Sequence, residues 1–232
     1  MQYETVCSEL VSSLVPQTPR RRIVVFARAP EPGRVKTRLA AAIGDGAALE
    51  IYRWLLEHTL AVVRTNPDCE VEVRFTPTGA AELMEQCVGG ALPLDRLRPQ
   101  SDGDLGTRMR LAIAEALFEG TTHVVVVGTD CPTLDAPTIE AAFEALGRSD
   151  VVLGPAFDGG YYLIATSADH PALFENIPWS STETLARTLD AATSAGLTVT
   201  LLRTMSDIDT ADDWSRYLAT SPASHVPPSR GR

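Results

Sequence analysis

Arg34, Lys36 and Arg38 stand at alternate positions in "RAPEPGRVKTRLA" (Arg28–Ala40), between the apolar run "RIVVFA" and a long helical pattern. Pro30 and Pro32 stiffen this loop, and Gly33 permits a turn that other residues resist. The cations then reach the mouth of a helix, where free N–H groups also attract anions. The helix macrodipole disfavours cations there unless an anionic partner is present. The chemistry implied is a phosphate cradle; the plainer alternative is a basic first turn on a solvated face. The loop lacks the G-x-x-x-x-G-K-[ST] spacing of a P-loop, and no GxGxxG is present.

Two further stretches carry carboxylates that could complement such a cradle. In "VVVVGTDCPTL" (Val124–Leu134), Asp130 follows an apolar strand and precedes a Cys-Pro turn, so it is exposed at a sheet edge yet held by a rigid element. A turn carboxylate satisfied by local N–H groups is the alternative. In "MSDIDTADDW" (Met205–Trp214), Asp207 and Asp209 alternate on an extended segment, which points both side chains the same way and allows them to hold a hard cation. Asp212 and Asp213 fit the first turn of the helix that follows. A cationic cradle and separated carboxylates are the two requirements of transfer at a phosphate ester: neutralised charge and a held geometry.

The elements that must position these residues follow an alternation of apolar strands and helical stripes, the pattern of an α/β layered domain. Strands are expected at 22–28, 70–76, 123–129, 150–154, 161–166 and 198–203. The four consecutive valines of the third suit a strand covered on both faces. Leu105, Met109, Ala112, Ile113, Ala116 and Leu117 share one helix face, as do Ile139, Ala142, Phe143 and Leu146. Asp135 can cap the second of these helices and Gly147 can end it. In open α/β sheets ligands bind beyond the carboxyl ends of the strands, where the loops above fall.

The 232 residues, 44% hydrophobic and 22% charged, suit one large domain. The division expected is an N-terminal tail at 1–20, a nucleotide-binding transferase domain at 21–220 and a C-terminal tail at 221–232. A formal net charge of −10 argues against a nucleic-acid surface and leaves a small anionic ligand open. Cys7, Cys69, Cys87 and Cys131, with His58, His123, His170 and His225, form no zinc or redox spacing. The N-terminus does not read as a signal peptide, and no apolar run approaches twenty residues. A soluble cytoplasmic protein with no membrane partner is therefore expected.

"FARAPEPGRVKTRL", "GTDCPTL", "GPAFDGGYYLI", "PWSS" and "DIDTADDW" occur in an order that resembles the bacterial DUF2064 family, the glycosyltransferase-A-like group associated with radical-SAM and selenodomain proteins. The resemblance runs from about Arg22 to Tyr217. It implies a Rossmann-like GT-A fold, that of the nucleotide-diphospho-sugar transferases, with a mostly parallel central sheet and helices on both faces. It is similar in style to the guanylyltransferases of deazaflavin-cofactor synthesis and to molybdopterin nucleotidyltransferases.

By this resemblance Arg28, Gly33, Arg34, Lys36 and Arg38 bind the nucleotide phosphates. Asp130 is the acidic residue of the metal-binding turn, and Asp209, with Asp207 beside it, supplies the later metal contact to Mg²⁺ or Mn²⁺. Gly103, Asp104 and Gly106 of "SDGDLGTRM" occupy the place of the base or ribose, although "DGD" could merely cap a helix. Asp158, Gly159, Gly160 and Tyr161, on an Asp-Gly hairpin, together with Trp179 and Ser180 would face the acceptor. The loop is proline-stiffened where related first loops read GxGxR.

The function expected is nucleotidyl transfer from an NTP to a small anionic acceptor with pyrophosphate release, Lys36, Asp130 and Asp158 being the catalytic candidates. Alternatives are glycosyl transfer from a nucleotide-sugar donor and a non-catalytic nucleotide-binding module.

Overall fold

The computed structural model describes residues 19–66, 68–89 and 96–221. The two expected tails, with Cys7 and His225, fall almost wholly outside the described residues. Seven strands form one sheet in the order β3-β2-β1-β4-β6-β5-β7. They are β1 (Arg21–Arg28), β2 (Cys69–Thr76), β3 (Leu97–Pro99), β4 (His123–Val127), β5 (Val151–Pro155), β6 (Tyr161–Thr166) and β7 (Val199–Leu201). All neighbours pair in parallel except β6, which is antiparallel to both β4 and β5. The mostly parallel α/β sheet expected from the sequence is the one observed.

The valines of β4 explain how the layers close. Val125 and Val127 enter one core with Ile23, Val25 and Phe75, whereas Val124 and Val126 enter the other with Val24, Leu153 and Ile164. Successive strand residues point to opposite faces, so a continuous apolar run serves a sheet covered on both sides.

The first core is covered by α2 (Asp45–Arg64), α3 (Ala81–Val88) and α5 (Ala136–Ala145), and the second by α4 (Leu105–Phe118) and α6 (Thr184–Ser194). The long helical pattern after the first loop is two helices. The seven-residue α1 (Thr37–Ile43) ends at Gly44, whose φ of 86° breaks the path before α2 begins. The last helix, α7 (Ala211–Thr220), packs Tyr217 against Leu39 of α1 and Ile51 and Leu55 of α2.

Asp135 caps α5 as expected, whereas Gly147 lies past the C-cap Leu146 without the left-handed φ of a glycine stop, and the box that opens α7 was not among the expected caps. Asp135 accepts from the Thr138 N–H, and Thr210 with Asp213 forms a capping box that puts Asp212 and Asp213 in the first turn of α7. The strand β3 was not expected, since Leu97-Arg98-Pro99 offers no apolar alternation to reveal it.

One part of the interior is charged. Arg22, fully buried on β1, binds Glu72 of β2, also fully buried, together with Glu70 and Glu119. Glu72 is shared with Arg74, which also reaches Glu115 at 2.6 Å, and Arg96 and Arg98 close the group from the β3 side. Glu115 of α4 and Glu119, just past its end, thus meet β1–β3 through an ion-pair layer where the rest of that helix meets β1 and β4 through an apolar one.

Candidate active site

The parallel strands β1 to β4 send their carboxyl ends to one edge of the sheet. Because β6 runs the other way, its first residue, Tyr161, reaches that edge beside Pro155. Two adjoining cavities of about 510 and 250 Å³ open there and share Leu105, Met109, Asp130, Tyr161 and Ser180 in their walls.

The first loop is anchored at its root by Tyr52 of α2. Its hydroxyl donates to the Arg28 carbonyl and accepts from the Arg28 N–H, both at 2.7 Å, and burial pushes the phenol far up from its ordinary pKa. Gly33 takes φ 70°, and a Cβ there would lie 3.3 Å from the Asp45 carboxylate. The three cations then part company. Arg34 and Arg38, 73% and 75% exposed, pair with Glu31 and Asp209 at 3.2 and 3.1 Å. Lys36 is only 4% exposed, and its Nζ lies 2.5 Å from Oδ1 of Asp130. It adopts the left-handed conformation, φ 48° and ψ 44°, immediately before α1. That conformation costs a non-glycine residue free energy, and it sets Lys36 apart from the rim arginines.

Asp130 follows β4 and is locked by the segment expected to carry the later carboxylates. Its carbonyl accepts from Ile208 N–H at 2.9 Å, while Met205 exchanges backbone bonds of 3.0 Å with Pro155 and Phe157. This lacing carries Asp207 toward Asp158 and Asp130. Burial, then the facing charges of Asp158 and Asp130, pushes the Asp207 carboxyl up to about 6. Asp209 instead pairs with Arg38 on the wall of the larger cavity. The geometry therefore gathers Lys36, Asp130, Asp158 and Asp207, with Asp209 engaged elsewhere. Cys131 lies beside them, and burial, then the charges of Asp130 and Asp207, pushes its thiol well up from the ordinary range.

The sign of the Asp207 shift gives a test. A carboxyl whose folded pKa lies above its unfolded value holds more protons when folded, so stability is lost as pH rises from about 4 through about 6. Asp207→Asn removes this ionisation. The variant is expected to melt higher than wild type at pH 7 and at nearly the same temperature at pH 4, as read by calorimetry. Equal shifts at both pH values would remove the raised Asp207 ionisation from the account.

The remaining candidates divide. Arg28, Arg34 and Lys36 line the larger cavity, whereas Arg38 is tied down beside it by Asp209. Gly103 precedes Asp104, which caps α4 by accepting from Thr107 N–H at 2.8 Å; the plainer reading of "DGD" is the one the geometry follows. Gly106 lies under the Trp179 indole, which also stacks on Phe174 and meets Tyr161 edge-on.

Asp158, Gly160, Tyr161, Trp179 and Ser180 line the smaller cavity. Gly159 serves the fold: a Cβ there would come within 2.2 Å of the Thr182 carbonyl oxygen, so the chain's own backbone takes the room expected for an acceptor. Three residues of the site were not singled out from the sequence: Tyr52, Gln100 and Arg108. Only Arg108, one turn beyond the cap in "SDGDLGTRM", carried a signal that could have found it.

The family model described as "Uncharacterized protein conserved in bacteria (DUF2064)" matches residues 59–181. The chain belongs to the DUF2064 family. The matched segment holds Asp130, Asp158 and Tyr161 and stops short of the first loop and of Asp207. A curated relative, the phosphoenolpyruvate guanylyltransferase of Sphaerobacter thermophilus, is 28% identical over 201 residues, 81% of this chain and 88% of its own.

Among solved structures, a protein of Desulfovibrio desulfuricans G20 assigned provisionally to the nucleotide-diphospho-sugar transferases is 31% identical. It has a TM-score of 0.81 and covers 89% of this chain and 90% of that one. Rv0371C of Mycobacterium tuberculosis H37Rv, solved with manganese, is 19% identical over 87% of this chain and all of its own, with a TM-score of 0.54. At that identity the likeness shows the fold alone. These relatives make the DUF2064 chain a transferase on the nucleotidyl and nucleotide-sugar transferase fold. Among the described residues no helix is long and apolar enough to cross a membrane.

Proposed function

We propose that this DUF2064 chain catalyses metal-dependent nucleotidyl transfer from a nucleoside triphosphate to a small anionic acceptor, releasing pyrophosphate. The observation that carries the reading is the Lys36–Asp130 contact where the two cavities meet. It sets a phosphate-binding cation beside a carboxylate suited to a hard cation. The reading places the protein in the cytoplasm, with neither nucleic acid nor membrane as partner.

The residues fit a divalent ion as an open set. Asp130 and Asp207 would hold it, with Asp158 beside them, three carboxylates gathered around the Lys36 ammonium. Among the described residues no three His, Cys, Asp or Glu side chains stand together so as to hold a metal ion by themselves. An ion that keeps oxygen ligands from its substrates suits this arrangement, which favours Mg²⁺, with Mn²⁺ as the alternative. When bound, the ion supplies charge neutralisation across the phosphates. The chain's own part is positional: Lys36 and the Arg28 and Arg34 guanidiniums hold the phosphate charge in the larger cavity, and Asp158, Ser180 and Trp179 border the acceptor in the smaller one. No covalent enzyme intermediate is required.

Lys36→Ala is expected to weaken NTP binding by roughly ten- to a hundredfold, since a charge-assisted phosphate contact is worth about 1.5–3 kcal/mol. The Asp130 carboxylate it leaves is half exposed, so the fold should survive. Unchanged affinity in isothermal calorimetry would remove the cradle.

Glycosyl transfer from a nucleotide-sugar donor is the second reading, favoured by the kind of protein to which the Desulfovibrio structure is assigned. The deciding experiment is a thermal-shift screen of the four NTPs and of UDP-, GDP- and dTDP-sugars, with and without Mg²⁺ or Mn²⁺. A ligand at a hundred times its Kd adds about 2.7 kcal/mol to native stability. The product released from the stabilising ligand then separates the two readings: pyrophosphate supports nucleotidyl transfer, and a nucleoside diphosphate supports the alternative.

A further inference from the structure

Arg108 lies in the first turn of α4, on the wall of the larger cavity. Its Nη1 donates to Gln100 Oε1 at 2.8 Å and its Nε to the Asp104 carbonyl at 3.2 Å. The Gln100 amide has no freedom to turn round. Its Nε2 donates to the Ala27 and Arg74 carbonyls at 3.3 and 3.0 Å, which leaves Oε1 for the arginine. A guanidinium carries five N–H donors, and three of those on Arg108 remain after these two bonds. Among the described residues no carboxylate forms an ion pair with it, and its neighbouring charges are the like charge of Arg28 and, with a smaller effect, the Asp104 carboxylate.

This guanidinium is half-buried, rigidly mounted and equipped with spare donors, and it is directed by the fold itself at a ligand cavity. Gln100 bridges the ends of β1 and β2, whereas Lys36 and Asp130 stand on the β4 side of β1. The Lys36–Asp130 pair and the Gln100–Arg108 pair thus flank the end of β1, with Arg28 at that end between them. At the Arg108 end the cavity also has apolar walls, Phe26, Leu105 and Met109, suited to a flat ring.

We propose that Arg108 selects the nucleobase, its two-nitrogen fork binding the O6/N7 edge of guanine, with Gln100 as the residue that positions it. Guanine presents two acceptors side by side on that edge, whereas adenine presents an acceptor beside an N6 donor, which a guanidinium cannot accept. The proposal rests on the nucleotide reading of the larger cavity and adds the base to it.

The test is calorimetric binding of GTP, 7-deaza-GTP, ATP, CTP and UTP, each with Mg²⁺, to wild type, Arg108→Lys, Arg108→Met and Gln100→Leu. Wild type is expected to bind GTP roughly ten- to a hundredfold more tightly than ATP, the cost of losing one bidentate pair, and more tightly by a smaller factor than 7-deaza-GTP, which keeps O6 and lacks only N7. Both Arg108 variants should lose that preference while binding of the other triphosphates stays put, and Gln100→Leu should lose part of it. Arg108→Lys keeps the charge and the stem, and the 7-deaza comparison on wild type needs no variant at all. An equal loss for every triphosphate would make Arg108 a phosphate contact. That result, an unchanged GTP preference in the variants, or a wild-type preference for another base would overturn the proposal and leave the nucleotide site standing. Binding of no triphosphate to wild type would overturn both.

Discussion

Asp130→Asn is expected to lower turnover by about a hundred- to a thousandfold or more, the usual cost of removing one preorganised charge from a transfer site. The same substitution at Asp207 should be comparably severe. If both hold one ion, the double variant should be hardly worse than either single, because residues acting as a unit are strongly non-additive. Asp209→Asn is the control that geometry supplies. That carboxylate is engaged with the exposed Arg38, and losing an exposed pair costs little, about 0–1 kcal/mol. Direct titration of Mn²⁺ into each variant separates a lost ligand from a lost acid or base. Severe loss at Asp209 with an active Asp207 variant would move the metal pair to Asp130 and Asp209, the pairing expected from the sequence.

The largest effect on stability should come from Glu72→Gln. This fully buried carboxylate is shared by Arg22, fully buried, and Arg74, 5% exposed. Glutamine keeps the shape and removes the countercharge from between two buried cations. Breaking a buried pair costs about 3–5 kcal/mol, and at this chain length each kcal/mol lowers Tm by roughly 2–4 °C, so a fall of about 6–20 °C is expected in a thermal melt. Glu70→Gln, whose side chain is 38% exposed, should cost far less. Equal, small effects at the two positions would mean that water reaches Glu72 after all.

Strands were legible where burial is two-sided or alternation is strong. The valines of β4 and the Asp-Gly hairpin between β5 and β6 could be read directly, since each local signal agrees with the tertiary one. β3 could not, because two of its three residues are an arginine and a proline and it is held by pairing to β2. Arg22 read as a polar strand start, while its burial depends on glutamates 48 to 97 positions away, which no local pattern discloses.

In the site, the basic loop and Asp130 were legible from their types. The division of labour within the loop was not: Lys36 turns inward through a left-handed backbone that lysine does not announce. The alternation of Asp207 and Asp209 predicted a common direction, but the two meet different partners. The backbone bonds of Met205 and Ile208 deliver Asp207 to the Asp158 side, and Arg38 claims Asp209.

Both margins of the sheet are three residues long, β3 at one side and β7 at the other. A long bare margin would offer a row of unpaired N–H and C=O groups to the strand of a neighbouring molecule. Here Pro99 removes a donor from one margin and the Arg98 charge resists close stacking, while the other margin ends after Leu201, which is half exposed. Cross-molecular strand addition at β3 or β7 themselves therefore has little length over which to gain cohesion. Among the described residues β3 leaves the first half of β2, Cys69–Glu72, without a strand on its outer side, and Phe118 and Phe157 are the most exposed large aromatics.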